Sequence, residues 1–228
     1  MERIERAEVV VFDVNETLSD MAPVMRRLAE LGVPEATGRL WFPTLLRDGF
    51  ALTAAGASER FSILARGVLH SVLADAAGEL DLDQAVEEVM EVFLTLPVHP
   101  DVPEGVRALA AGGARLVTLS NGSAEVAERL LGGAGIRDCF ERLLSVEEAG
   151  VWKPAREAYA YAVRVCGSEP ARMLMVASHP WDIDGAARAG LRTCWLNRGD
   201  AQYPVYFHPP DQTVGSLPQL AGMMPPLK

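Results

Sequence analysis

Residues 8–18 read EVVVFDVNETL. Positions 8–12 are a short run rich in β-branched residues, with the length and composition of a buried strand. The strand ends at Asp13. The same punctuation repeats downstream. Pro103 opens an amphipathic helix with Val106, Leu109 and Ala110 on one face, closed by Gly112-Gly113. Residues 115–119 (RLVTL) form the next strand. Ser123 is placed to cap a helix through 131, with Glu125 in its first turn, where a negative charge suits the helix dipole. A short strand follows at 142–145. Pro154 starts a helix that runs to about Cys166 and stops at Gly167. Residues 173–177 (MLMVA) make a strand, 182–189 a helix ended by Gly190, and 192–196 (RTCWL) another strand. Strands joined by single helices predict an α/β chain with a parallel sheet and helices on both faces. One edge strand is expected near Thr213-Val214.

Residues from about 20 to 97 break this rhythm. Segments 20–31, 36–48, 56–77 and 81–96 are helical in pattern, rich in Leu, Ala, Arg and Glu. The expectation is a helical insertion over 19–97, with the sheet assembled from 1–18 and 98–228.

Composition excludes several function classes. The 228 residues are 49% apolar and 23% charged, with 21 Lys plus Arg against 31 Asp plus Glu and a formal charge of −10. No basic block or stripe stands out, which argues against nucleic acid and anionic membrane as partners. The first apolar run is too short for a signal sequence or a membrane span. Three separated cysteines, Cys139, Cys166 and Cys194, fit a reducing compartment and small buried side chains. A cytoplasmic protein is therefore expected. There is no GxxxxGK[ST] loop, GxGxxG, GxSxG, HExxH or EF-hand pattern.

In a parallel α/β sheet, ligands bind at the carboxyl ends of the strands. The residues expected there are Asp13, then Ser120-Asn121-Gly122, then the loop carrying Lys153, then Ser178-His179-Pro180-Trp181-Asp182. Asp13 at such an edge can attack an electrophilic carbon or phosphorus. A cation such as Lys153 within a few Å would lower its pKa by about 1–3 units. Ser120 and Asn121 sit where a strand gives way to a helix N-terminus, a natural anion site. Thr17 can reach back to Asp13 from the following turn. Asp182 can orient a water or ligate a metal. The other histidines, His70, His99 and His208, lack ligand spacing and read as structural or exposed. Trp181 adjoins Asp182 and is the aromatic best placed to wall a pocket.

FDVNETL at 12–18, LSNGS at 119–123, WKP at 152–154 and ASHPWDIDGA at 177–186 resemble, in order, the four motifs of haloacid dehalogenase-like hydrolases. The resemblance covers essentially the whole chain. Within the superfamily the chain looks most similar to the L-2-haloacid dehalogenases, through LSNGS, the KPxxxxY run from Lys153 to Tyr159, the Trp181-Asp182 pair and GLRTCWLNR. This implies a Rossmann-like core with an inserted helical cap, a homodimer as one possible assembly, and a cofactor-independent hydrolase of short 2-haloalkanoic acids.

Position 15 bears on the chemistry. Phosphatases of the superfamily resemble one another in a second Asp two residues after the nucleophile, acting as general acid and base. Here that position is Asn15, which cannot transfer a proton that way. A halide leaving group needs no proton. By resemblance, Asp13 displaces halide from Cα, and water then opens the Asp13 ester to give a 2-hydroxy acid. Thr17, Lys153, Ser178 and Asp182 form the catalytic set. Ser120 and Lys153 would bind the substrate carboxylate, Asn121 and His179 would face the halide, and Tyr159 would brace Lys153 or the substrate, with Asn15, Trp181 and Phe42 completing the pocket. Two departures stand out. Phe42 follows Trp41 where the relatives resemble each other in an Arg, leaving Arg47 or Arg60 as substitutes. His179 stands where many relatives have Asn, and reads either as a satisfied, partly buried histidine or as a donor that tightens the halide pocket. The alternatives are a Mg²⁺-dependent phosphatase, with the metal on Asp13, Asp182 and Asp184, and a weakly active or non-catalytic relative.

Overall fold

The computed structural model describes residues 7–76 and 81–224. Among these, six strands form one sheet in the order β3-β2-β1-β4-β5-β6. They are β1 (Val9–Phe12), β2 (Arg115–Ser120), β3 (Phe140–Ser145), β4 (Met173–Ala177), β5 (Arg192–Leu196) and β6 (Gln212–Val214). Every pairing is parallel. All four residues of β1 are fully buried, as a strand covered on both faces requires. Val11 lies in register with Val117 on one side and Met175 on the other.

The chain falls into two compact units, Met1–Ser19 with Pro97–Lys228 and, separately, Asp20–Leu96. The second unit is helical: α1 (Ala22–Glu30), α2 (Glu35–Gly38), α3 (Trp41–Ala54), α4 (Phe61–Ala76) and α5 (Leu82–Leu94). Its interior holds an aromatic cluster, with the Phe61 and Phe93 rings stacked at 5.4 Å and Trp41 edge-on to Phe93 at 5.8 Å. The segment expected as one helix over 36–48 is split between α2 and α3. The helix expected from 56 starts only at Phe61, because Gly56, at φ 75°, closes α3 in the left-handed conformation that favours glycine. Position 77, the expected end of that helix, lies outside the described residues.

The sheet unit adds α6 (Val102–Ala111), α7 (Ala124–Gly133), α8 (Val146–Ala149), α9 (Arg156–Cys166), α10 (Pro180–Arg188) and α11 (Leu217–Met223). Ser123 caps α7 by accepting the Val126 N–H. Pro154 stands in the turn before α9 rather than in the helix. The helix α11 lies in the tail, where the sequence carries no strong period: it is only seven residues long, and its buried positions Leu217, Leu220 and Met223 make a single short stripe.

Gly105 shows how closely α11 docks on α6. A Cβ at 105 would lie 2.3 Å from Leu217 Cβ and 2.6 Å from the Leu217 carbonyl carbon. Alanine is the better helix former by about 1 kcal/mol. Overpacking against backbone costs about 1–3 kcal/mol. The clash wins, so Gly105→Ala is expected to lower the thermal midpoint despite its helix propensity, as a melting curve will show.

From β1 the sheet grows outward in opposite directions, through β2 and β3 on one side and β4, β5 and β6 on the other. Such a reversal of strand order opens a crevice at the carboxyl ends of the central strands. Asp13 follows β1, Ser120 ends β2 and Ser178 follows β4.

Candidate active site

Asp13 continues the ladder by donating its N–H to the Val176 carbonyl at 3.0 Å. This fixes the main chain beneath a carboxylate that is only 4% exposed. The backbone then winds into a turn, Leu18 and Ser19 both donating to the Val14 carbonyl at 2.8 and 3.0 Å. That turn brings Thr17 back over Asp13, and its hydroxyl donates to Asp13 Oδ2 at 2.6 Å. Thr17 has one proton, which goes to the carboxylate. Its lone pairs therefore accept the Ser178 N–H at 2.9 Å and the Ser178 hydroxyl at 3.1 Å. The turn is further held by Arg198, which donates to the Thr17 carbonyl at 2.8 Å and pairs with Asp101 at 2.9 Å.

Lys153 enters from the turn between α8 and α9, after the cap residue Gly150. Its ammonium is fully buried and donates to Asp13 Oδ1 at 2.8 Å and to Asp182 Oδ2 at 2.7 Å. Its main chain is clamped by Asn121, whose Oδ1 accepts the Lys153 N–H at 2.9 Å and whose Nδ2 donates to the Lys153 carbonyl at 3.4 Å. The residue expected to face a halide thus has both ends of its amide on the lysine loop. Tyr159, fully buried on α9, donates to Asp182 Oδ1 at 2.6 Å. It braces Asp182 where Lys153 or the substrate was expected, its hydroxyl lying 3.2 Å from the Asp182 carbonyl oxygen as well. Tyr159→Phe is expected to leave that carboxylate oxygen short of a donor and to cost about 1–3 kcal/mol of stability, measured as a lower denaturant midpoint with unchanged slope.

The opposite wall comes from the loop after β4. His179 Nδ1 lies 3.3 Å from Asp13 Oδ2, and its Nε2 lies 2.8 Å from Glu16 Oε2. Trp181 stacks on the imidazole at 5.2 Å and faces the Lys153 ammonium at 5.8 Å. Trp195, from β5, donates to the Ser178 carbonyl at 2.9 Å and holds the loop from below. Glu16 has φ 61°, a left-handed conformation that costs a residue other than glycine about 1 kcal/mol. Its N–H donates to Ser19 Oγ at 3.2 Å, and His99 Nε2 contacts its carbonyl at 3.2 Å. Strain of this kind persists only where the surroundings over-determine it. Glu16 was not among the expected site residues. The one signal for it was its place inside the FDVNETL motif, and its partner lies 163 positions away.

Electrostatics follow from this packing. Burial opposes ionisation of Asp13, yet the Lys153 ammonium and the His179 contact outweigh it and hold the carboxyl well below the usual carboxylate range. Burial likewise disfavours the Lys153 cation, but Asp13 and Asp182 together raise the lysine above its ordinary value. Burial raises Asp182 despite Lys153, and the nearby Asp13 charge adds to the effect. Burial and then the Asp182 charge lift the Tyr159 hydroxyl well above its usual range, so it remains a donor. Burial would lower His179, but its bonds to Asp13 and Glu16 push it up to about 9. The site thus carries a charged imidazole and an ammonium around an ionised carboxylate at neutral pH.

Ser120 and Asn15 lie buried beside Gly122, where the Ser120 hydroxyl accepts the Gly122 N–H at 2.9 Å. Phe42 lies in the aromatic cluster of the helical unit, its ring 6.2 Å from Trp41 and 6.4 Å from Phe61. Arg47 there pairs with Asp48 at 2.8 Å on the surface. Asp184, considered as a metal ligand, instead engages Arg188 at 2.8 Å and the His208 N–H at 2.9 Å. All four carboxylate oxygens of Asp13 and Asp182 already face protein donors, and the Lys153 ammonium stands between the two groups. A hard divalent cation needs such oxygens free. The residues therefore do not fit the Mg²⁺ alternative.

Residues 7–190 match the family described as haloacid dehalogenase-like hydrolase. The chain is 27% identical over 217 residues to an (S)-2-haloacid dehalogenase of Pseudomonas putida, covering 94% of this chain and 95% of that one. It is 36% identical over 139 residues, 60% of each chain, to an (S)-2-haloacid dehalogenase of Pseudomonas sp. (strain YL). Among solved structures, the L-2-haloacid dehalogenase of Xanthobacter autotrophicus with chloropropionic acid covalently bound superposes with a TM-score of 0.85 at 25% identity, over 95% of this chain and 98% of that one. Motif order, sheet topology and the family match over most of the length agree: the chain belongs to the haloacid dehalogenase-like hydrolases.

Proposed function

We propose that this protein hydrolyses short 2-haloalkanoic acids to 2-hydroxy acids through an ester on Asp13. The observation that carries this reading is a buried, ionised carboxylate paired with Lys153, with the non-acidic Asn15 where a phosphatase of the family would need a proton donor. Such a site can displace a leaving group that departs as a stable anion. It lacks the acid that a departing alkoxide demands at that position. The names of the relatives and the covalently bound chloropropionic acid in one of them support the same substrate class.

In the first step an Asp13 oxygen attacks Cα of the substrate as the carbon–halogen bond breaks, and the halide takes the bonding pair. In-line attack inverts Cα. In this reading Lys153 and Ser120 receive the substrate carboxylate. In the second step water adds to the Asp13 carbonyl carbon. Asp182, with its raised pKa, accepts the water's proton and returns it to the departing alkoxide oxygen of the product. Thr17, Ser178 and Asn121 position these groups. His179 contacts the nucleophile itself. A halide leaves on the far side of Cα from the attacking oxygen, so in this reading His179 serves the nucleophile rather than the halide pocket. We further infer that the Asp20–Leu96 unit serves as the cap, with Phe42 in it, and that the protein works in the cytoplasm. No helix among the described residues is long and apolar enough to cross a membrane.

The test is multiple turnover of 2-chloropropionate in H₂¹⁸O, followed by mass spectrometry of the Asp13 peptide. Heavy oxygen in Asp13 is the expected result. Halide release with Asp13 unlabelled would mean that water attacks the substrate directly.

A further inference from the structure

We infer that His179, held by Glu16, is the oxyanion donor for hydrolysis of the Asp13 ester and is a catalytic residue of the second step rather than of halide departure. The inference rests on the function proposed above. It starts from how hydrogen-bond donors divide between the two oxygens of Asp13.

Oδ2 faces two side-chain donors, the Thr17 hydroxyl at 2.6 Å and His179 Nδ1 at 3.3 Å. Oδ1 faces one, the Lys153 ammonium at 2.8 Å. Each carboxylate oxygen has two in-plane lone-pair sites. Those of Oδ2 are taken, whereas Oδ1 keeps one to give. Oδ1 is therefore the atom that attacks Cα, and Oδ2 becomes the carbonyl oxygen of the ester. When water adds to Cγ, the π pair moves onto Oδ2, where Thr17 and His179 already stand. The negative charge develops against an imidazolium, and charge-assisted bonds of this kind strengthen as the acceptor gains charge. On collapse Oδ2 re-forms the double bond, and the Cγ–Oδ1 bond breaks. The alkoxide receives its proton from Asp182, and the proton left on Asp13 passes to solvent. His179 keeps its proton throughout.

Two further observations fit this role and no simple structural one. Glu16 Oε2 lies 2.8 Å from Nε2 while Asp13 Oδ2 lies 3.3 Å from Nδ1; both partners are carboxylate acceptors, so the ring satisfies them together only as an imidazolium with a proton on each nitrogen. Glu16 reaches that place from a left-handed backbone conformation, held by Ser19 and His99. Trp181, stacked on the ring at 5.2 Å, keeps its plane aimed at the carboxylate. A histidine retained only for packing would need neither the strained partner nor an in-plane contact with the nucleophile.

The experiment is a pre-steady-state time course with excess 2-chloropropionate, reading halide release and the mass of the alkylated enzyme over time. In His179→Ala, halide release should show a burst of one equivalent per site at a rate within about threefold of wild type. The alkylated enzyme should then accumulate and break down about 10²–10³-fold more slowly, the loss expected for one oxyanion donor. His179→Gln keeps a neutral donor and guards against misfolding of the alanine variant; it should break down the ester at an intermediate rate. Glu16→Gln should slow breakdown about tenfold. Adduct breakdown at the wild-type rate in His179→Ala or His179→Gln would overturn the proposal, as would equal slowing of both steps. Halide release by wild type with no adduct and no label in Asp13 would instead sink the ester reading, and this proposal with it.

Discussion

Lys153→Met is expected to lower turnover by about 10³-fold or more and to destabilise the fold by about 3–5 kcal/mol, because it removes the cation from a buried ion pair. In the native site this ammonium is fully buried and shared by Asp13 and Asp182. Methionine fills its volume without its charge. Two buried carboxylates then face each other with no intervening cation, and both resist ionisation. The sign of the pH dependence follows. In wild type, Asp13 lies below its ordinary 3.8, so its contribution to stability is present above that value and fades only as pH falls through the lower folded value. Lys153 lies above 10.5, so its contribution is present below that value and fades only as pH rises through the higher one. Between those limits the pair should leave wild-type stability flat. In the variant, burial lifts Asp13 above 3.8. Its stability should then be greatest in acid and decline as pH rises. Its residual activity, which needs the ionised carboxylate, should rise over the same range. Melting curves and halide release from pH 5 to 9 will show the two opposed slopes. A variant with flat stability across that range would contradict the shared-cation account.

Asp13→Asn should reduce halide release by about 10⁴-fold or more, the scale seen when a covalent nucleophile is removed. No alkylated enzyme should form. Asparagine keeps the shape, but its single oxygen can accept from Lys153 only, and its Nδ2 is turned toward Thr17 and His179, which donate to the carboxylate in wild type. The lowered pKa of Asp13 means that its charge is stabilised in the fold by Lys153 and His179, so neutralising it gives up that stabilisation at neutral pH. The thermal midpoint should therefore fall by a few degrees. His179, having lost its contact with an anion, should titrate at lower pH than in wild type, which proton NMR of the imidazole can follow. Activity within tenfold of wild type would exclude Asp13 as nucleophile.

Local physics accounts for what could be read from sequence alone. A strand of β-branched residues halting at a charge marks a sheet edge, and the alternation of strand and helix orders the sheet. Thr17 lies one turn beyond Asp13, so their hydrogen bond is a property of neighbouring positions. The strand-end residues Asp13, Ser120 and Ser178, the loop lysine Lys153 and the helix-opening Asp182 were all visible through position in the pattern. Lys153 could be set against Asp13, 140 positions away, from their shared sheet edge. Other partners could not, because they depend on where distant segments meet: His179 is 163 positions from Glu16. Which group Tyr159 braces and what the Asn121 amide grips depended on side-chain direction in three dimensions, which spacing does not encode. The identity of the residues limited the chemistry to a carboxylate attack aided by an ammonium. Only packing decided that a histidine with a glutamate behind it would stand on the other oxygen of that carboxylate.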